Sequence, residues 1–151
     1  MTGASDPTPG AVDVLMRMYA AESEYLGAGG PGKASFDTLA PFFSPDVVLH
    51  QADALPYGGT WRGHAGMERF MLAMSHAWAE FEMVEQRFLA TEGTAVVLTE
   101  VHARARATGK ELDFPILQTV AVEDGRITEI RPFYWDAAAI REACTERAPH
   151  A

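Results

Sequence analysis

Cysteine is almost absent. Cys144 stands alone among 151 residues, which excludes an intramolecular disulfide and any metal site built from several thiolates, and accords with a reducing compartment. Long apolar runs are missing as well. Nothing approaches the ~20 consecutive apolar residues of a membrane-spanning helix, and residues 1–10 have neither the basic start nor the apolar stretch of a signal peptide. Positive charge is scarce: 12 Lys and Arg against 21 Asp and Glu leave a formal charge of −9, which repels phosphate backbones and anionic lipid. Neither nucleic acid nor a membrane is expected as a partner, and a cytoplasmic location is. Glycine fingerprints of nucleotide sites and the serine elbow of hydrolases are also lacking. His50, His64, His76, His102 and His150 show no spacing with carboxylates that suits a metal ion, so neither a metal nor an organic cofactor is expected.

What is present is an ordinary globular balance, 48% hydrophobic and 22% charged, in a length that fits one domain with one core. Residues 1–9 and 148–151 read as tails around a domain at 10–147. Thr8 and Pro9 suit the cap and first position of a helix with periodicity through Leu15, Met18, Tyr19 and Leu26, ended by Gly27. The glycine-rich stretch 27–33 reads as a mobile loop, and Ser35 as the cap of a short helix carrying Phe36, Leu39 and Phe43, kept short by Pro41. A strand is expected at 46–51. Met67, Phe70, Met71, Met74 and Trp78 then repeat at the three-and-four spacing of one buried helical face. Four strands are expected at 80–91, 94–106, 111–122 and 126–135, each pair separated by a glycine-containing turn of the kind that joins antiparallel neighbours. Asp136 suits the cap of a last helix from 137 to about 146, limited by Pro149. Helices first and strands after predict an α+β domain: a cone-shaped, curved antiparallel sheet packed on helices around a pocket.

Alternation along a strand decides which side chains meet that pocket. At 94–106, Val97, Thr99, Val101, Ala103 and Ala105 form the inner set. Glu100, His102, Arg104 and Arg106 form the wet one, because burying four ionisable groups is costly. His102 is therefore a surface or dimer-interface histidine. At 111–122, Leu112, Phe114, Ile116, Gln118, Val120 and Val122 share a face that is apolar but for one amide. Gln118 is either satisfied by neighbouring backbone or a donor aimed at a ligand oxygen. On the last strand, Pro132, Tyr134 and Asp136 oppose Arg131, Phe133 and Trp135, and apolarity does not choose between the sets.

The order of a helix, Asp46-Val-Val-Leu-His-Gln51, Leu55-Pro-Tyr-Gly-Gly-Thr-Trp-Arg-Gly63, an amphipathic helix, and Glu123-Asp-Gly-Arg-Ile-Thr-Glu-Ile-Arg-Pro-Phe-Tyr-Trp-Asp136 resembles the SnoaL-like polyketide cyclases. Their wider superfamily includes ketosteroid isomerases and limonene epoxide hydrolases. The resemblance spans roughly residues 10–145 and implies the cone-shaped fold, a homodimer and a small-molecule substrate. In ketosteroid isomerases the proton-shuttling carboxylate ends the first strand, where this chain has Gln51, and an amide shuttles no protons. Their oxyanion hole, a first-helix tyrosine and a protonated aspartate, corresponds to Tyr19 and Gln118, both able to donate to a developing enolate. The arginine and two aspartates of limonene epoxide hydrolases fall on Val101, Ala103 and Pro132, so that machinery is absent. The matches place Tyr134 and Asp136 toward the cavity.

These readings lead to a cofactor-free cyclase of polyketide or other natural-product biosynthesis, folding an apolar substrate for aldol-type closure or cycloaddition. Gln51, Gln118, Tyr19 and Tyr134 would bind a carbonyl, and Asp136 would move a proton if it is more than a helix cap. The expected substrate wall is Leu49, Met74, Trp78, Val101, Phe114 and Ile116, with His50 a reserve base. Tyr57 and Trp61 flank Gly58-Gly59, either as a flexible lid or as packing that holds the turn on the sheet. A non-catalytic hydrophobic-ligand-binding domain and an epoxide-opening enzyme are the alternatives.

Overall fold

The computed structural model describes residues 10–145; Thr8, Pro9 and Pro149, with the roles expected of them, lie outside those residues. Helix α1 (Ala11–Gly27) buries Ala11, Val14, Leu15, Met18, Ala21 and Tyr25, a stripe at the three-and-four spacing that gives it one apolar face. The glycine-rich stretch after it takes a defined course in turns. The buried Gly30 bonds through its amide to the Tyr25 carbonyl and through its carbonyl to the amides of Lys33 and Ala34, at a φ of 65° that glycine adopts without strain. Ser35 does act as a cap, its Oγ accepting from the Asp37 amide, but of two 3₁₀ turns, Phe36–Thr38 and Ala40–Phe42. Phe43 already belongs to strand β1 (Phe43–Gln51).

A short strand β2 (Gly59–Arg62) pairs antiparallel with β1 where only a turn was expected. Helix α2 (Gly63–Ala77) follows, and Trp78 opens strand β3 (Trp78–Thr91) instead of closing the helix. Strands β4 (Thr94–Ala105), β5 (Glu111–Glu123) and β6 (Arg126–Tyr134) complete the expected antiparallel meander, and helix α3 (Ala137–Cys144) ends the described chain. The six-stranded sheet runs β2-β1-β6-β5-β4-β3. It is mixed, because β1 lies parallel to β6, with Leu49 opposite Ile130. Turn signals report only consecutive neighbours, so this long-range pairing had no local sign.

Curvature comes from irregular pairing. The β3–β4 register shifts between Trp78 and Glu80 and again between Met83 and Glu85, and such bulges add twist and bend the strand. The second shift also changes which parity faces inward, from Phe81 and Met83 to Gln86 and Phe88. The bent sheet divides the core in two. One cluster gathers α1 residues such as Leu15 and Tyr25 with Val47, Val97 and Ile127; the other gathers Leu55, Tyr57, Trp78, Ala103, Phe114 and Ile140. A chamber lies between them.

Candidate active site

The chamber holds about 370 Å³, within the ~300–1,000 Å³ of small-molecule sites. Leu49 of β1, Val101 of β4 and Ile116 of β5 line it as alternation predicts, Met74 lines it with Met67, Phe70 and Met71 on the inner face of α2 as the helical spacing predicts, and Trp78 lines it from the start of β3. Phe114 does not. It sits behind the wall, its ring 5.8 Å from Trp78 and 5.9 Å from Tyr134, because the taper of the cone leaves that position to solid packing.

Four expected polar groups, Tyr19, Gln51, Gln118 and Tyr134, do reach the chamber. Gln118 Nε2 donates to Tyr19 Oη at 3.3 Å, joining β5 to α1. Burial, then the nearby Glu22 carboxylate, raises the Tyr19 phenol well above its ordinary range, so it stays protonated. With its oxygen taken by the amide, its own hydrogen is free for a ligand. Tyr134 is prepared from the other side. Trp78 Nε1 is a donor only and gives its hydrogen to Tyr57 Oη at 3.3 Å, and Tyr57 in turn donates to Tyr134 Oη at 2.8 Å. Both hydrogens are thereby used, which leaves the Tyr134 O–H for the chamber. Burial pushes Tyr57 up to about 12 and Tyr134 well above its usual value. Gln51 is 7% exposed, and its Oε1 has no hydrogen-bond partner among the described residues. An orphaned buried acceptor costs about 1–3 kcal/mol, and a ligand hydroxyl would relieve it.

Tyr57 and Trp61 form no lid. Tyr57 is 1% exposed, Trp61 Nε1 donates to the Tyr57 carbonyl at 3.1 Å, and neither lines the chamber. A Cβ on Gly58 would collide with the Ala52 carbonyl oxygen, so the turn is pressed onto the neck of the loop. Asp136 is also elsewhere. It is exposed at the head of α3, its Oδ1 accepting from the Ala139 amide at 3.0 Å, and Trp135, 84% exposed, offers it no apolar enclosure. His50 points outward to Glu129, 3.0 Å from Nε2 to Oε2. His102 lies on the wet face, with Asp113 2.7 Å from Nδ1 and Glu111 3.3 Å from Nε2. The hydrogen bond to Asp113, then that to Glu111, raises its pKa.

Two charged residues of the chamber were not expected there. Arg106, read from alternation as part of the wet set, lies just past the end of β4, where that parity no longer holds, and stands at the chamber's edge, bonding the carbonyls of Ser75 and Trp78. Glu22 is the sole carboxylate of the lining, and burial raises it from 4.5 to about 7. A signal existed: position 22 falls four after Met18 and three before Tyr25, on the apolar stripe of α1, where a carboxylate is out of place. Among the described residues no group of three or more His, Cys, Asp or Glu is arranged to hold a metal ion, and no helix is long and apolar enough to cross a membrane.

Similar architecture occurs in solved structures. An NTF2-like protein from Burkholderia xenovorans LB400 superposes with a TM-score of 0.78 at 19% identity, over 92% of this chain and 100% of that one. A protein from Jannaschia sp. CCS1, assigned to the SnoaL-like polyketide cyclases, gives 0.72 at 15% identity, over 95% and 99%. TerC, co-crystallised with polyporic acid, gives 0.73 at 17% identity, over 88% and 96%. At these identities the likeness is one of fold. No curated protein matches the chain in sequence. The model of the SnoaL-like domain, however, matches residues 32–130, which covers β1 through most of β6 and every strand that walls the chamber: the chain belongs to the SnoaL-like domain family, with an NTF2-like α+β fold.

Proposed function

We propose that the chain is a cyclase of natural-product biosynthesis, closing a ring in an apolar, carbonyl-bearing substrate such as a polyketide, with no metal or organic cofactor. The supporting observation is the pair of phenols, Tyr19 and Tyr134, whose oxygens are occupied by protein donors while their hydrogens remain for a guest. An apolar chamber folds the chain of the substrate and excludes water. Directed donors hold a carbonyl and take up the negative charge that develops on its oxygen, and each such donor contributes about 10²–10³ in rate. Holding both reacting carbons in one enclosure supplies the rest.

The test is incubation with synthetic poly-β-ketones of graded length and identification of products by mass spectrometry. Ring closure that falls about 10²-fold when Gln118 is replaced by Leu supports the reading. Tight binding of every ketone with no conversion leaves the chain as a holder of hydrophobic metabolites, and overturns it.

A further inference from the structure

Every acidic side chain of the described residues except one finds a place outside the chamber. Glu22 projects into it from α1, one helical turn from Tyr19, a separation of ~5–6 Å between Cβ atoms. It caps no helix, and it forms neither a hydrogen bond nor an ion pair with a described side chain. The lone cation of the lining, Arg106, is spent on the carbonyls of Ser75 and Trp78, and Arg17 on the same helix pairs with Asp13. A carboxylate kept in an apolar wall without a structural partner opposes folding, which is the pattern of a group retained for what it does.

We infer that Glu22 is the proton carrier of the chamber, taking a proton from the carbon next to the carbonyl held by Tyr19 and returning it to the oxygen made on ring closure. The inference rests on the cyclase reading and places the base on the first helix, where the amide of Gln51 cannot serve. The step balances without any co-reactant. The carboxylate removes the α-hydrogen, and the C–H pair passes into an enolate whose oxygen accepts from the Tyr19 O–H. The enolate carbon bonds to a second carbonyl carbon, that carbonyl's π pair moves to its oxygen, and the carboxylic acid of Glu22 protonates it. The product is an isomer of the substrate and Glu22 is again a carboxylate. A pKa of about 7, set by burial, suits both halves, since a base and an acid matched to the working pH exchange protons most effectively. The other ionisable groups lining the chamber are Tyr19, Tyr134 and Arg106: burial raises both phenols, so neither ionises near neutrality, and Arg106 is held on backbone carbonyls.

The probe is 2-tetralone, an apolar bicyclic ketone with acidic α-hydrogens. Its binding is read by quenching of tryptophan fluorescence, and its α-hydrogen exchange in D₂O by NMR. The wild-type protein binds it and accelerates exchange over buffer, with a rate that climbs with pH through a midpoint near 7, where the Glu22 carboxyl ionises. Glu22→Gln loses about 10²-fold of that rate and the pH step, with binding kept; Glu22→Asp keeps the step at reduced rate. Exchange as fast in Glu22→Gln as in the wild type removes Glu22 from the chemistry while the chamber stands. Wild-type binding without exchange likewise refutes the proton carrier and leaves a ligand holder. Failure of the wild type to bind any apolar ketone overturns the cyclase reading and this inference with it.

Discussion

The same carboxyl leaves a mark on stability that needs no substrate. Glu22 is raised from 4.5 to about 7 in the folded chain because the chamber disfavours its charge. The folded state therefore holds this proton more tightly than the unfolded state does, and stability declines as pH rises from below 4.5 until the folded carboxyl has ionised, above about 7. At ~1.4 kcal/mol per pH unit of displacement the full loss is about 3 kcal/mol. That is an upper bound, since Glu22 is only half-buried and its charge is partly screened by solvent at its exposed side. Between pH 5 and pH 8 about 2 kcal/mol of the loss is expected. Glu22→Gln keeps the shape and cannot ionise, so urea unfolding at the two pH values isolates the effect. The raised His102 also makes the protein less stable toward high pH, but it lies on the outer face in both proteins and cancels in the difference. The wild type should lose about 2 kcal/mol relative to Glu22→Gln on going to pH 8. Parallel stability curves for the two proteins would refute the placement of Glu22 in a desolvating wall.

Replacing Asp136 by Ala removes the cap of α3 and should lower the unfolding free energy by about 1 kcal/mol while leaving ring closure unchanged; Asp136→Asn, which can also cap, should be silent in both denaturation and product assays. Tyr57→Phe deprives Tyr134 of its donor and strands the buried Trp78 N–H, so urea unfolding should show a loss of about 1–3 kcal/mol, and 2-tetralone exchange should weaken as well. The outer face exposes Leu117, Phe133 and Trp135, and we propose that a second copy of the chain covers it. Phe133→Glu with Trp135→Glu should convert a dimer to a monomer in sedimentation velocity, and a wild-type protein that sediments as a monomer would refute this.

Much of the wall was legible from alternation alone. Val97, Thr99, Val101, Ala103 and Ala105 are all buried, as the parity of β4 requires, because a regular strand repeats every two residues whatever lies around it. The same rule turned Gln118 inward and His50 outward. Phe114 shares the parity of Ile116, yet only Ile116 meets the chamber, since parity names a face and not a depth. Tyr57 and Trp61 sit in a turn that a linear reading makes mobile, and their hydrogen bonds to Trp78, Tyr134 and backbone come from segments up to 77 residues away. Asp136 had two uses on paper, and the direction of the chain beyond Tyr134 assigned it to the helix end.

Local periodicity, turn chemistry and the motif order were enough to establish the two long helices, the antiparallel meander, the inner faces of β4 and β5 and the family's cone, since those depend on neighbours within a few residues; strand β2 and the 3₁₀ turns after Ser35 were not among them. The parallel seam between β1 and β6, the bulges that bend β3, and the isolation of Glu22 in an apolar wall were settled only in three dimensions. Each depends on which distant groups come to surround a residue. A carboxylate has one pKa in the chain and another in the chamber because solvation is a property of its surroundings, not of its place in the sequence.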